Sequence, residues 1–440
     1  MKQPSLSKLR KSKPELVKIL KNIGWLFFDK ALRLGVGIFV SVWLARYLGP
    51  QQYGVLSYSL ALVAVFDSVA SLGLNGIVVR DLVRDPDQST LTLGSALYLQ
   101  MAGGVLALAL SIFTVTLLRR NDQDSLTLVI ILSLPLLLKS TDIIKYWFES
   151  KVLSRDIVLT LNFVFLIISS IKLWLIASNA SILDFAWLTV IESSLISAAL
   201  ISLVFFHKGN LFAWYFGWKR AKSLLNDAWP IIISSSSTIL YMKIDQIMLG
   251  NMLGDEGLGI YSAAARISEA WYAVPTAINA SIRPILIRLK TTDPLQYSKQ
   301  LRNCFSLMFW LSLTIAIAFQ FFSAPLINLL FGPSFETSGD ILSIHIWTSV
   351  FVFTNNASWN WFFAEDKLKE ANKRTVVGLI INIALNYLLI PEYGVYGAAY
   401  AALTARAYVG YFGNLASKET RPLFYLISNS VLPIRIHRRI

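Results

Sequence analysis

Apolar residues in this chain occur in runs of about 20, and short polar joints separate the runs. A helix of this length crosses the apolar interior of a bilayer with its backbone groups paired internally. The pattern predicts twelve transmembrane helices, at 24–48, 54–74, 92–118, 126–149, 156–177, 183–206, 228–250, 257–280, 303–323, 340–363, 375–391 and 395–414. The predicted fold class is therefore an all-α polytopic membrane protein.

Lysine and arginine are concentrated in alternate joints of this pattern. The N-terminal tail, the joint at 207–227 and the joint at 283–302 are rich in them, whereas the joints on the other side contain only Arg119 and Arg120. Basic residues accumulate on the cytoplasmic side of membrane proteins. Both termini are therefore predicted to be cytoplasmic.

Two turns on the predicted outer side repeat each other. LGPQQYG at 48–54 resembles LGDEGLG at 253–259, at an offset of 205 residues. Each turn lies between the first and second helices of a set of six, and an even number gives both sets the same orientation. The repeat predicts two pseudo-symmetric six-helix bundles around a central cavity.

The predicted organisation has five parts. They are a basic cytoplasmic tail at 1–23, an N-terminal bundle at 24–206, an amphipathic cytoplasmic linker at 207–227, a C-terminal bundle at 228–414 and a second basic cytoplasmic tail at 415–440.

Composition excludes several other classes of protein. Of the 440 residues, 55% are hydrophobic and 15% are charged, and a soluble chain would be expected to have about 25% charged residues. The net charge of +14 resides in short clusters between apolar runs, so membrane orientation explains it better than nucleic-acid binding. One cysteine and three histidines exclude a disulfide framework and a Cys/His zinc site, so no metal or redox cofactor is expected.

Three stretches carry a resemblance to a known family. ARYLGPQQYGVLSYS spans 45–59, KIDQIMLGNMLGDEGLGIYSAAARI spans 243–267 and PEYGVYGAAYA spans 391–401. With the helix order along nearly the whole chain, they are similar to the polysaccharide transporter family. That family includes the Wzx-type O-antigen and exopolysaccharide flippases, and it belongs to the multidrug/oligosaccharidyl-lipid/polysaccharide exporter superfamily.

The resemblance implies a transporter rather than an enzyme. The expected cargo is an undecaprenyl-pyrophosphate-linked oligosaccharide, the repeat unit of an O-antigen or another surface polysaccharide. Alternating access would move it from the cytoplasmic to the outer leaflet of the bacterial inner membrane. Besides the lipid bilayer, a polysaccharide polymerase and a chain-length regulator are expected partners, and a proton or sodium gradient is the expected energy source.

Charged side chains inside the predicted helices are the candidate functional residues. A charge near the bilayer centre costs at least about 2.5 to 3.5 kcal/mol on insertion scales, so these residues are expected to face a cavity or a partner. A pyrophosphate favours cations in low-dielectric surroundings, and guanidinium is preferred for its forked donors. The predicted cargo-binding residues are Arg266, Arg33, Lys30, Arg406 and Lys172.

Pairing within one helix is the alternative role for some of these charges. Residues three or four apart share a helix face. Such pairs are Asp29 with Arg33, Lys139 with Asp142, and Arg266 with Glu269. Arg406 and Lys172 have no acidic neighbour at helical spacing.

Lys243 and Asp245 are two residues apart and point about 200° apart around a helix, so they are not expected to pair with each other. The resemblance favours a cavity-facing Asp245, because an Asp shortly before the Leu-Gly end of the seventh helix recurs in the family. Asp245, Glu269 and Lys243 are predicted to serve in ion coupling or in a contact between bundles. A hydrogen bond that packs helices is the alternative for Asp245.

Two other functions fit a many-helix membrane protein. A multidrug/cation antiporter on the same fold is the nearer alternative, although the excess of intramembrane bases over acids favours an anionic cargo. A membrane glycan polymerase or ligase is further away, because every outer joint is short and no nucleophile or metal-ligand spacing is present.

Overall fold

The computed structural model describes the backbone of residues 6–431, and the side chains of residues 25, 29 and 32–431 except residue 154. Nearly all of this range is helical, and no β-strand occurs in the described residues. Helices α1 to α8 are Leu6–Ser71, Asn75–Arg84, Ser89–Leu118, Gln123–Ser133, Asp142–Ser150, Ser154–Ala177, Ile182–Phe206 and Trp218–Met252. Helices α9 to α16 are Asp255–Ala270, Ala273–Thr292, Pro294–Phe331, Glu336–His345, Thr348–Ala364, Leu368–Tyr393, Val395–Gly410 and Arg421–Val431.

The predicted membrane spans fall on helical segments of the structure. Seven helical stretches of the described residues are long and apolar enough to cross a membrane, which confirms an all-α polytopic membrane protein. The fourth predicted span is not one continuous α-helix. A 3₁₀ segment at Leu134–Thr141 separates α4 from α5 and has Pro135 near its start, where the proline ring removes a backbone donor.

Contacts between helices divide the chain into two compact units. The first comprises the described part of Met1–Val40 together with Phe66–Ser235. The second comprises Ser41–Val65 and the described part of Ser236–Ile440. Residues 41–65 of α1 therefore pack with the C-terminal helices, while the bundle bounds drawn from the sequence stay a prediction.

The core of the first unit includes the beginning of α8, which lies within the predicted linker at 207–227. Buried side chains of α2, α3, α5 and α8 form one cluster that includes Ile77, Leu82, Leu93, Ile143, Leu224 and Ala228. Beside this cluster, Arg220 donates to Asp81 at 2.8 Å and the backbone N–H of Gly217 donates to Ser95 at 3.2 Å. The second half of the predicted linker is thus fastened to the first unit.

In the second unit, the two repeated turns have the same backbone conformation. Gly49 has φ 71° and ψ 172°, and Gly254 has φ 92° and ψ 179°. A residue with a Cβ rarely adopts a positive φ of this kind, so glycine is required at both positions. The repeat found in the sequence therefore corresponds to a repeated turn in the structure.

The turn at Gly49 interrupts α1, and the part of α1 that follows it crosses α9, which follows the turn at Gly254, at two further glycines. A Cβ on Gly54 would lie 1.8 Å from the carbonyl oxygen of Asp255, and a Cβ on Gly259 would lie 1.9 Å from that of Pro50. Both distances are far below van der Waals contact, so only glycine permits this approach. The two turns are in reciprocal backbone contact within the second unit.

Candidate functional site

A cavity of about 310 Å³ lies in the second unit between α1, α8 and α9. Its charged lining consists of Lys243 on α8 and of Arg266 and Glu269 on α9. Gln246 lies three residues after Lys243, and this spacing puts both on one face of α8. The other lining residues are Ser41, Leu44, Tyr53, Leu56, Ser57, Leu60, Ala61, Ala64 and Ser262. The cavity therefore holds two bases and one acid among apolar and hydroxyl side chains.

Arg266 is exposed in this cavity and is held by one of its nitrogens. Its Nε donates to the hydroxyl of Ser41 at 3.1 Å. The pairing with Glu269 that the spacing allows does not form, and in the described residues no carboxylate makes an ion pair with Arg266. The two Nη groups remain available as a forked donor.

Glu269 instead lies between two other bases. Its carboxylate oxygens lie 3.8 Å from Lys243 Nζ and 3.8 Å from Arg406 Nη2. Arg406 is buried, and its Nη1 donates to Nε2 of the buried His345 at 3.2 Å. A guanidinium can only donate, so the imidazole nitrogen accepts. Arg406 thus lies behind the cavity wall, and its acidic partner comes from another helix.

Asp245 does not face the cavity, contrary to the prediction. Its side chain is 2% exposed, and it is not among the lining residues, which include its neighbours Lys243 and Gln246. Asn386 on α14 donates to one carboxylate oxygen at 2.9 Å, and Tyr261 on α9 donates to the other at 3.2 Å. Asp245 therefore joins α8, α9 and α14 by buried hydrogen bonds.

The predicted binding residues of the first unit are engaged with acidic residues. Arg33 donates to Asp29 at 2.8 Å and also lies over the ring of Phe165. Lys172 lies 3.3 Å from Glu192 on the next helix, although the sequence offers it no acidic neighbour at helical spacing. Their charges are therefore balanced locally.

Two lysines remain: Lys139 was predicted to pair with Asp142, and Lys30 was predicted to bind the cargo. Lys139 lies 3.5 Å from Asp142, as its spacing allows, and 2.9 Å from Asp67 on another helix. The side chain of Lys30 lies outside the described residues.

Sequence reasoning missed the polar residues that surround these charges. Asn382 and Asn386 are buried on one face of α14, where Asn386 donates to Asn382 at 2.9 Å as well as to Asp245. Two asparagines four residues apart inside an apolar helix were the available signal, since intramembrane amides hydrogen-bond across helices. Ser41 gave no such signal, because single serines are frequent in membrane helices.

A polytopic helical fold with a polar cavity among its helices is typical of membrane transporters. Residues 19–290, more than half of the chain, match the family described as polysaccharide biosynthesis protein. The chain belongs to this family. Residues 230–388 also match the MatE family.

Three individual proteins are similar to this chain over most of its length. A putative O-antigen transporter of Shigella flexneri is 24% identical over 411 residues, which cover 87% of this chain and 93% of that protein. A multidrug resistance MATE family transporter in an inward-facing conformation matches with a TM-score of 0.73 and 12% identity, over 90% of this chain and 96% of that one. The lipid II flippase MurJ matches with a TM-score of 0.70 and 16% identity, over 93% of this chain and 90% of that one. Together with the family match, these similarities confirm a transporter rather than an enzyme.

Proposed function

We propose that this protein is a flippase for undecaprenyl-pyrophosphate-linked oligosaccharide, the repeat unit of an O-antigen or another surface polysaccharide. It works by alternating access and moves the cargo to the outer leaflet of the bacterial inner membrane. A polysaccharide polymerase and a chain-length regulator are its proposed partners. The name of the Shigella flexneri relative and the family of the chain support a cargo of this class.

The open guanidinium of Arg266 is the observation that carries this proposal. Arg33 and Lys172 are matched with acids, whereas Arg266 has two free Nη groups that face a cavity. A pyrophosphate oxygen pair fits a forked donor of this kind. Lys243, whose carboxylate partner Glu269 is 3.8 Å away, supplies a second positive charge.

A multidrug/cation antiporter is the alternative, and the MatE match and the MATE structure favour it. The charges of the cavity argue against it. A cation would meet the two bases of the lining, and the one acid there, Glu269, already lies near Lys243 and Arg406. Like charges in low-dielectric surroundings repel strongly, so an organic cation would bind poorly.

Energy coupling is proposed to involve a proton or sodium gradient and the second unit. Asp245 and Glu269 are the candidate coupling acids: Glu269 lines the cavity together with Lys243, whereas Asp245 and Arg406 are buried outside its lining. Protonation or cation binding at Glu269 would change the net charge of the cavity that Arg266 lines. Such a change would alter the affinity of the cavity for an anion.

Deletion of the gene in its host tests the proposal. The expected result is accumulation of a lipid-linked oligosaccharide at the cytoplasmic face and loss of the surface glycan. Wild-type protein and Arg288→Gln should restore the glycan, because Arg288 is exposed and lies outside the cavity. Arg266→Gln should reach the membrane at normal levels and fail to restore it. Sensitivity to cationic drugs without any accumulated glycan would instead establish the antiporter.

A further inference from the structure

Arg283 is a half-buried arginine that does not belong to the cavity. It lies in α10, beyond the break at Trp271 and Tyr272 that separates this helix from α9, and it does not line the cavity of Arg266. The sequence places it at the start of the basic joint 283–302, on the predicted cytoplasmic side.

The guanidinium of Arg283 is held on one edge and on one face. Its Nε donates to the side-chain oxygen of Asn360 on α13 at 3.3 Å. Its Cζ lies 4.7 Å from the ring centroid of Phe363, one helical turn further along α13. A planar group fixed in this way loses little freedom when it binds a ligand.

Buried amides in turn fix the position of Asn360. Asn360 is 1% exposed and donates to the side-chain oxygen of Asn279 on α10 at 2.8 Å. Asn279 is 2% exposed and donates to the backbone carbonyl of Asn356 at 2.6 Å. A chain of hydrogen bonds therefore runs from Arg283 through Asn360 and Asn279 to the backbone of α13. Polar groups buried in this way are costly unless they are paired.

The side chains that hold Arg283 in place, Asn360 and Phe363, carry no negative charge. In the described residues, no carboxylate makes an ion pair with Arg283, although Lys290 on the same helix pairs with Glu365. The one hydrogen bond that the described side chains give Arg283 is donated by its Nε to the neutral amide of Asn360, and it leaves both Nη groups open. A half-buried arginine without a counter-ion is costly, and a ligand with paired anionic oxygens would offset that cost.

We infer that Arg283 is a second anion-binding site, which takes a phosphate ester of a lipid headgroup. The part of this inference that concerns transport rests on the proposed function: the pyrophosphate of the cargo would bind Arg283 on the cytoplasmic side before it reaches Arg266. A phospholipid of the inner leaflet offers the same phosphate chemistry. The two sources are separable by experiment.

The test uses the full-length protein in nanodiscs of phosphatidylcholine, titrated calorimetrically with farnesyl pyrophosphate and, as the uncharged control, with farnesol. The wild type should bind the pyrophosphate in two components. Arg283→Gln should weaken one component about tenfold or more, because a charge-assisted hydrogen bond is lost. Arg288→Gln, a change of the same type on the same helix, should match the wild type within about twofold.

Two variants separate binding from folding. Arg283→Lys keeps the charge but loses the fork, so its affinity should fall between those of the wild type and Arg283→Gln. Asn360→Ala removes the amide oxygen that accepts the hydrogen bond from Arg283 Nε. It should weaken the same binding component and leave the Arg266 component unchanged. Each variant must match the thermal stability of Arg288→Gln for the comparison to count.

A second titration distinguishes the two sources of phosphate. Nanodiscs that contain phosphatidylglycerol should suppress the Arg283 component if phospholipid occupies the site, and should leave it intact if the site is selective for pyrophosphate. Equal binding by Arg283→Gln and the wild type would overturn the second site, while a loss in Arg266→Gln would leave the proposed function standing. Absence of pyrophosphate binding in the wild type would overturn both.

Discussion

The glycine crossing of the second unit gives a prediction that needs no assumption about cargo. Gly54→Ala places a methyl group 1.8 Å from the carbonyl oxygen of Asp255, whereas real Cβ contacts are almost never shorter than 3.0 Å. The helices that follow the two repeated turns must therefore separate by more than an ångström. The obstacle is backbone, so no side chain can rotate to relieve it.

The expected cost follows from two opposing contributions. Overpacking costs about 1 to 3 kcal/mol, and a rigid contact belongs at the upper end of that range. Alanine is preferred to glycine inside a helix by about 1 kcal/mol. Gly54→Ala should therefore destabilise the protein by about 2 kcal/mol. Gly35→Ala is the control in the part of α1 before Gly49, since nothing lies within 4 Å of its added Cβ, and it should be neutral or stabilising.

The assay is thermal unfolding of the purified variants in one detergent, followed by tryptophan fluorescence. Gly54→Ala should unfold at a clearly lower temperature than the wild type, and Gly35→Ala at the same temperature or higher. Equal unfolding temperatures for both variants would refute the close crossing of the two repeated turns.

Three other substitutions test individual contacts of charged residues. Asp245→Ala should lower stability by about 1 to 3 kcal/mol, seen as an earlier thermal transition, because Asn386 and Tyr261 lose their buried acceptor. Arg220→Ala removes the partner that Asp81 has on α8 and should loosen the attachment of residues 218–227 to the first unit. Proteolysis at 207–217 should therefore become faster. An unchanged cleavage rate would contradict that attachment. Glu269→Gln should tighten pyrophosphate binding several-fold at low salt, with the gain shrinking as salt is added.

Hydrophobic patterning was sufficient to predict an all-α polytopic membrane protein, because a bilayer requires about 20 apolar residues for each crossing, but it did not show the breaks inside the fourth and eighth spans. The repeat at 48–54 and 253–259 was also recognisable, since its glycines are fixed by backbone conformation at Gly49 and Gly254. Constraints of this kind act on residues that are close together along the chain, so they can be recognised from the sequence alone.

Long-range pairing could not be predicted in the same way. Lys172 with Glu192 and Arg406 with Glu269 join residues of different helices, so no spacing along the chain indicates them. The rule for neighbours on one helix favoured a pair between Arg266 and Glu269. The structure shows that tertiary contacts take Glu269 away and leave Arg266 open.

Asp245 illustrates the limit of a correct geometric argument. The angle between Lys243 and Asp245 correctly indicated that they face different sides of α8. It did not indicate which side is the cavity, because that depends on how α9 and α14 pack around α8.

Translocation by the purified protein shows whether Arg266 holds the pyrophosphate of the cargo. Proteoliposomes would contain a fluorescent undecaprenyl-pyrophosphate oligosaccharide, and an added lectin or glycosidase would report its appearance on the other leaflet. The wild type and Arg288→Gln should transfer the cargo, and Arg266→Gln should be slower by about tenfold or more, since its charge-assisted contacts are removed. Equal transfer rates for Arg266→Gln and the wild type would contradict this role of Arg266.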